Sequence, residues 1–187
     1  MAPTTTPTAP PTTAAPATTT TAPITDATTA DPKALAAQLQ AVLDRYQELY
    51  LESRSDPERP FTDEKLIADF REVAQQHELA RLLQWWNEKR AEGSASRPGP
   101  TPDPGPYLTV LTNVAPTEVT ATYCIFDDWV SYVKTTGAVL DDSVAVTHGV
   151  VTFVEAGSGW MISAKRAASA DEVPAGSPNP CPAERIS

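Results

Sequence analysis

The stretch Thr117-Glu118-Val119-Thr120-Ala121-Thr122-Tyr123-Cys124-Ile125-Phe126 decides the fold class of this chain. Side chains alternate across a strand, so Val119, Ala121, Tyr123 and Ile125 share one face, and Thr120, Thr122, Cys124 and Phe126 share the other. Similar extended stretches surround it at 107–113 (YLTVLTN), 129–134 (WVSYVK), about 143–154 (SVAVTHGVVTFV) and 160–166 (WMISAKR). Pro116, Thr135-Thr136-Gly137 and Gly157-Ser158-Gly159 mark turns between them. Strands joined by short turns predict an antiparallel, meandering sheet over 107–166.

Upstream the period changes to 3.6. Leu35, Leu39, Val42, Leu43, Tyr46, Leu49 and Tyr50 form one stripe of a helix over 31–54, with Asp31 as N-cap and Pro32 in the first turn. Pro57 and Pro60 end it. A second helical stretch starts at Thr62 and runs to about Glu92, with Leu66, Ile67, Phe70, Val73, Leu79, Leu82, Leu83 and Trp86 on its apolar face. A kink or break is expected near Gln75–Glu78. Gly93 suits the residue after the helix, and Trp85 lies at the border of the stripe. Helices first and strands second predict an α+β domain, with the helical stripes packed on one dry sheet face.

Outside this domain the chain is irregular. In residues 1–32, 28 are Thr, Ala or Pro. The segment 1–31 therefore reads as a disordered stalk that cannot bury enough apolar area to offset its backbone entropy. Such Thr/Pro stalks are often O-glycosylated. Prolines 98, 100, 102, 104 and 106 make 93–106 a stiff connector outside the core. Residues 167–187 read as a C-terminal loop, anchored if Cys181 pairs with Cys124, the only other cysteine. That bridge would close a loop of roughly 58 residues and contribute about 4 kcal/mol on chain-entropy grounds. The domain itself spans 32–166.

Charge excludes some functions. Fourteen Lys and Arg face 24 Asp and Glu, a net charge of −10 over 187 residues. Residues 98–187 carry −6 of it. Such a chain does not suit nucleic acid or anionic lipid. No run of 18 apolar residues occurs, so no transmembrane helix is expected. The stalk after Met1 suggests a mature exported region, secreted or tethered as a lipoprotein, whose export signal is not in this sequence.

The order of helix, broken helices and antiparallel sheet resembles the nuclear-transport-factor-2-like superfamily. Paired Tyr46 and Tyr50, the Cys124-Ile125-Phe126-Asp127-Asp128 strand end with Trp129, and Gly159-Trp160-Met161-Ile162 carry the likeness over about 33–166. It is similar to small secreted or lipoprotein members from actinobacteria. The resemblance implies a cystatin-like cone with a curved sheet. The superfamily includes ketosteroid isomerases and polyketide cyclases beside non-catalytic binding modules, so the fold does not choose the function.

Enzymes of that fold place an acid or base inside the cone, with a Tyr donor. The corresponding set is Asp127, His148 and Tyr123, and it requires their faces to converge. Asp127-Asp128 equally suits a solvated strand end, and His148 an exposed strand position. Two histidines 71 positions apart and two cysteines expected to pair offer no metal-ligand spacing. Neither Asp127-Asp128 nor Asp141-Asp142 sits in a calcium-loop pattern. No phosphate loop or Gly-x-Ser-x-Gly elbow occurs, so neither a cofactor nor nucleophilic catalysis is expected. The aromatic residues Tyr46, Tyr50, Phe70, Trp86, Tyr123, Phe126, Trp129, Tyr132, Phe153 and Trp160 either fill a core or line a cavity. In the second case Tyr46, Trp86, Tyr123 and His148 are the expected wall. The leading expectation is a non-enzymatic exported module that binds a partner protein or small apolar ligand at the cell envelope. The alternatives are a cyclase- or isomerase-type enzyme and an accessory subunit of an envelope assembly.

Overall fold

A computed structural model describes residues 31–101, 104–157 and 159–186. The expected disordered stalk, apart from Asp31, lies outside the described residues. The order is helices followed by antiparallel sheets, an α+β arrangement.

Helix α1 spans Pro32–Ser55, and the Asp31 side chain accepts from the Lys33 N–H at 3.0 Å. Its stripe of Leu39, Leu43, Tyr46 and Leu49 is buried. The short α2 spans Arg59–Thr62 and leads into α3, Glu64–Val73, where Asp63 is the N-cap and accepts from Leu66 N. Helix α4 spans Gln76–Ala91. The expected break falls slightly early, at Ala74–Gln75. Ala74 is extended and forms a parallel bridge with Ile162, whose carbonyl accepts from Gln75 N at 2.9 Å. After α4, Gly93 takes φ +67° and donates to Arg90 O, the backbone conformation that favours glycine at a helix end.

The strands form two sheets rather than one meander. The larger has order β2-β3-β6-β7, from Tyr107–Ala115, Glu118–Asp127, Val144–Ala156 and Gly159–Val173. The smaller has order β1-β4-β5, from Ser94–Arg97, Val130–Val133 and Val139–Asp141. The expected strand at 129–134 therefore leaves the main sheet. Strand β1 lies in the stretch expected to be a connector outside the core, yet Ser94, Ala95 and Ser96 are buried. Further along that stretch, Thr101 N donates to Asp128 Oδ2 at 2.8 Å. Strand β7 also corrects the expected loop from 167. Its residues 167–173 pair with β6 as far as Val144↔Val173.

The alternation of β3 is as expected. Val119, Ala121 and Tyr123, with Ile125 packed against them, join the helices in the main core around Phe70, Trp86 and Phe153. Cys124 and Phe126 enter a second, smaller core with Tyr107, Val146 and Cys181. The Cys124–Cys181 disulfide is present, and it ties helix α5, Cys181–Glu184, to the outer sheet face. At the edge of the main sheet, Leu108 N donates to Gln40 Oε1 and Leu108 O accepts from Ile186 N. Gln40 also donates to Pro106 O at 2.8 Å, which fixes α1 to the start of β2.

Candidate ligand-binding cavity

Between α1, α4 and the inner face of the main sheet lies a cavity of about 300 Å³. Helix α1 supplies Tyr46, Gln47, Tyr50, Leu51 and Arg54, which recur at helical spacing on one side. Helix α4 supplies Arg81, Leu82 and Trp85. The sheet supplies Tyr123, Ile125 and Asp127 from β3, Thr147 from β6, and Lys165 and Ala167 from β7. Pro104, Phe126 and Trp129 complete the wall.

Register explains these positions. The rows Ala121–Val151–Lys165 and Tyr123–Gly149–Ala167 run across β3, β6 and β7, and paired residues share a face. Gly149 is needed in the second row: a Cβ there would lie 2.3 Å from Arg166 O and 2.4 Å from Tyr123 Cζ. Glycine thus lets the Tyr123 ring lie against the sheet. Lys165 reaches the inner face because β7 carries an extra residue between Ile162, opposite Phe153, and Ala164, opposite Thr152. Unbroken alternation from Ile162 would have turned Lys165 outward.

A charged cluster borders the cavity. Glu78 is fully buried and accepts from Tyr46 Oη at 2.7 Å, Arg81 Nη2 at 2.6 Å and Arg166 Nη1 at 2.8 Å. Burial pushes the Glu78 carboxyl up, but the bonds from Arg81, Arg166 and Tyr46 outweigh it and hold the group below its ordinary value. Burial, then the Glu78 charge, raises the Tyr46 hydroxyl well above its ordinary value. Burial pushes Tyr123 up to about 12. Arg54 donates to both Asp127 oxygens at 3.0 and 3.1 Å and lies 5.4 Å from the Trp129 ring. Asp127 Oδ1 also accepts from Trp129 N, so this acid caps the strand end. Lys165 differs from these cations. Its ammonium lies 4.7 Å from the Tyr123 ring centroid and 5.9 Å from that of Tyr46, with no carboxylate partner among the described residues. Burial pushes it down to about 8, against the attraction of Glu78.

The structure thus brings together Tyr46, Tyr123 and Asp127. Trp86 is not in the wall; it is fully buried in the core beside Phe70. His148 is not in the wall either. It pairs with Cys124 across β3 and β6, on the face opposite Tyr123, and its Nε2 lies 3.1 Å from Glu184 Oε2. The Tyr123–Asp127–His148 acid/base cluster is therefore not assembled. Donor atoms of Cys124, His148 and Glu184 lie within 4.8 Å of one another, but the Cys124 sulfur is in the disulfide. Of the other aromatic candidates, Tyr50, Phe126 and Trp129 line the cavity, Phe70 and Phe153 are core, and Tyr132 lies in the small sheet. Sequence reading missed Lys165, Arg54, Arg81 and Gln47. For the α1 and α4 residues, the i, i+4 spacing of Tyr50 with Arg54 and Arg81 with Trp85 was an available signal. No helix among the described residues is long and apolar enough to cross a membrane. No protein-family model matches the chain, and no curated protein matches it.

Proposed function

We propose that the protein is a non-enzymatic binding module that holds a small aromatic or apolar ligand in the cavity between α1, α4 and the sheet. The observation that carries this reading is the wall itself, in which Tyr46, Tyr50, Trp85, Tyr123 and Trp129 converge on one concavity. Its volume falls at the lower end of the range for small-molecule sites. Gln47 adds support. It lines the same cavity, and its buried Oε1 has no hydrogen-bond partner among the described residues. An unpaired buried acceptor costs stability.

The helix-then-sheet order and the bulged strands, which bend sheets, favour a cone of the nuclear-transport-factor-2-like type. The disulfide favours an exported location, because such bonds persist in oxidising compartments. The Thr/Pro segment would then act as a spacer, with a lipid anchor as one form of tether. The cyclase or isomerase reading has less support, since Asp127 is paired with Arg54 and His148 is on the other face.

The test uses 2-naphthamide and 2-naphthoate as probes, read by quenching of tryptophan fluorescence and by calorimetry. At least one binds the native protein, and Ala167→Phe, which fills the cavity from the edge strand, abolishes binding while the melting curve stays cooperative. Binding of neither probe, or binding undisturbed by the filled cavity, overturns the proposal.

A further inference from the structure

We infer that Lys165 is the anchor for an anionic group, so that the cavity selects small aromatic carboxylates over their neutral counterparts. The inference rests on the binding-module reading and adds the chemical class of the ligand.

Three cations belong to the cavity wall. Arg54 is neutralised by Asp127 at 3.0 Å and Arg81 by Glu78 at 2.6 Å. Lys165 alone among them has no carboxylate within 4 Å among the described residues. It stands over two tyrosine rings instead. A half-buried cation held only by ring faces has lost water without gaining a counter-ion. A carboxylate entering the cavity supplies that counter-ion in a partly desolvated setting, where charge-assisted hydrogen bonds are strong. The surrounding rings suit a flat aromatic body on the same guest.

The groups facing Lys165 are Tyr46 of α1, Glu78 and Arg81 of α4, and Tyr123 and Asp127 of β3. Val151 and Gly149 of β6, the residues in its row and the next, carry no charge. The amine titrates at about 8, lowered by burial. Tyr46 and Tyr123 titrate higher, so Lys165 is the wall group that changes charge first as pH rises above neutrality.

The experiment compares 2-naphthoate with 2-naphthamide on the native protein, Lys165→Met and Lys165→Arg. The native protein is expected to prefer the carboxylate by about tenfold or more, the size of one charge-assisted hydrogen bond. Lys165→Met brings the ratio of carboxylate to amide affinity to about one, whatever its effect on the amide itself, and Lys165→Arg restores part of the preference. In the native protein, carboxylate affinity falls as pH rises through about 8, while amide affinity does not. Equal affinity for the two probes, or a preference that survives Lys165→Met, overturns the anchor while leaving the binding module standing. Binding of neither probe overturns both. The native pH series decides the matter if Lys165→Met does not fold.

Discussion

Strand β3 has two faces that are buried by different means. Its inner face, with Val119, Ala121 and Tyr123, is covered by three helices and contributes to a core of eighteen buried residues. Its outer face, with Cys124 and Phe126, is covered by a short tail held by one covalent bond, in a cluster of five. The inner face can leave a concavity because helix packing around it is extensive. The outer face has little apolar cover and relies on the disulfide, while Val110 and Val150 on that face remain exposed. Within one strand, then, hydrophobic burial supports a site and a crosslink supports a patch.

Substitutions on the two faces separate these roles. The largest effect is expected from Glu78→Ala on the inner side. It leaves the buried Tyr46 hydroxyl unpaired, takes the shared carboxylate from the half-exposed Arg81 and Arg166, and opens a cavity, together about 3–5 kcal/mol; urea unfolding measures it. Replacing both cysteines by alanine should cost about 2–4 kcal/mol. Probe binding to the folded protein should persist, because the disulfide lies on the other face. If that double variant loses binding without unfolding, the two faces are not independent.

Gly149→Ala sharpens the comparison from between the faces. Its Cβ would meet Tyr123 and the β7 backbone. Overpacking of this kind costs about 1–3 kcal/mol, and displacement of Tyr123 should weaken probe binding. Lys165→Met should raise stability by about 1–2 kcal/mol at pH 7, since it removes a desolvated charge lacking a counter-ion. The pH dependence follows from the same group. Lys165 titrates at about 8 in the fold and near its ordinary 10.5 when unfolded. The unfolded chain therefore binds more protons between those values, and stability rises with pH across that window. Tyr46 and Tyr123 act oppositely: their raised values give stability that is present below about pH 10 and lost above it. Thermal melts from pH 7 to 11 should pass through a maximum near pH 10, and Lys165→Met should lack the rise. The smallest effect is expected at Glu184→Gln. It touches only the half-exposed His148 and should change stability by less than about 0.5 kcal/mol.

What was readable from sequence follows the strength of the local patterns. The α1 stripe, the Asp31 cap, Gly93 and the alternation of β3 depend on neighbouring residues, and all are found. Strand β1 was not readable, because Ser94-Ala95-Ser96-Arg97 has no apolar alternation and is held by pairing with β4. Residues 167–173 likewise become strand through the β6 backbone, with the side chains of 167–172 left exposed. Lys165 was hidden by the extra residue in β7, which reverses the phase of the side chains from Ala164 to Ala167 until a second shift, between Ala167 and Ser169, restores it. Alternation along β6 sets His148 in step with Val146, but only the Cys124↔His148 register shows that this stripe faces away from the cavity.

The two hydrogen bonds at Leu108 bear on how copies of the chain meet. An edge strand normally offers its free N–H and C=O groups to any extended segment that approaches. At Leu108 the donor is engaged by the Gln40 side chain and the acceptor by the Ile186 backbone. A helix and the far end of the chain thus occupy this rung as a neighbouring strand would. The segment tied down by Cys181 closes one rung of the sheet edge as well as covering a core.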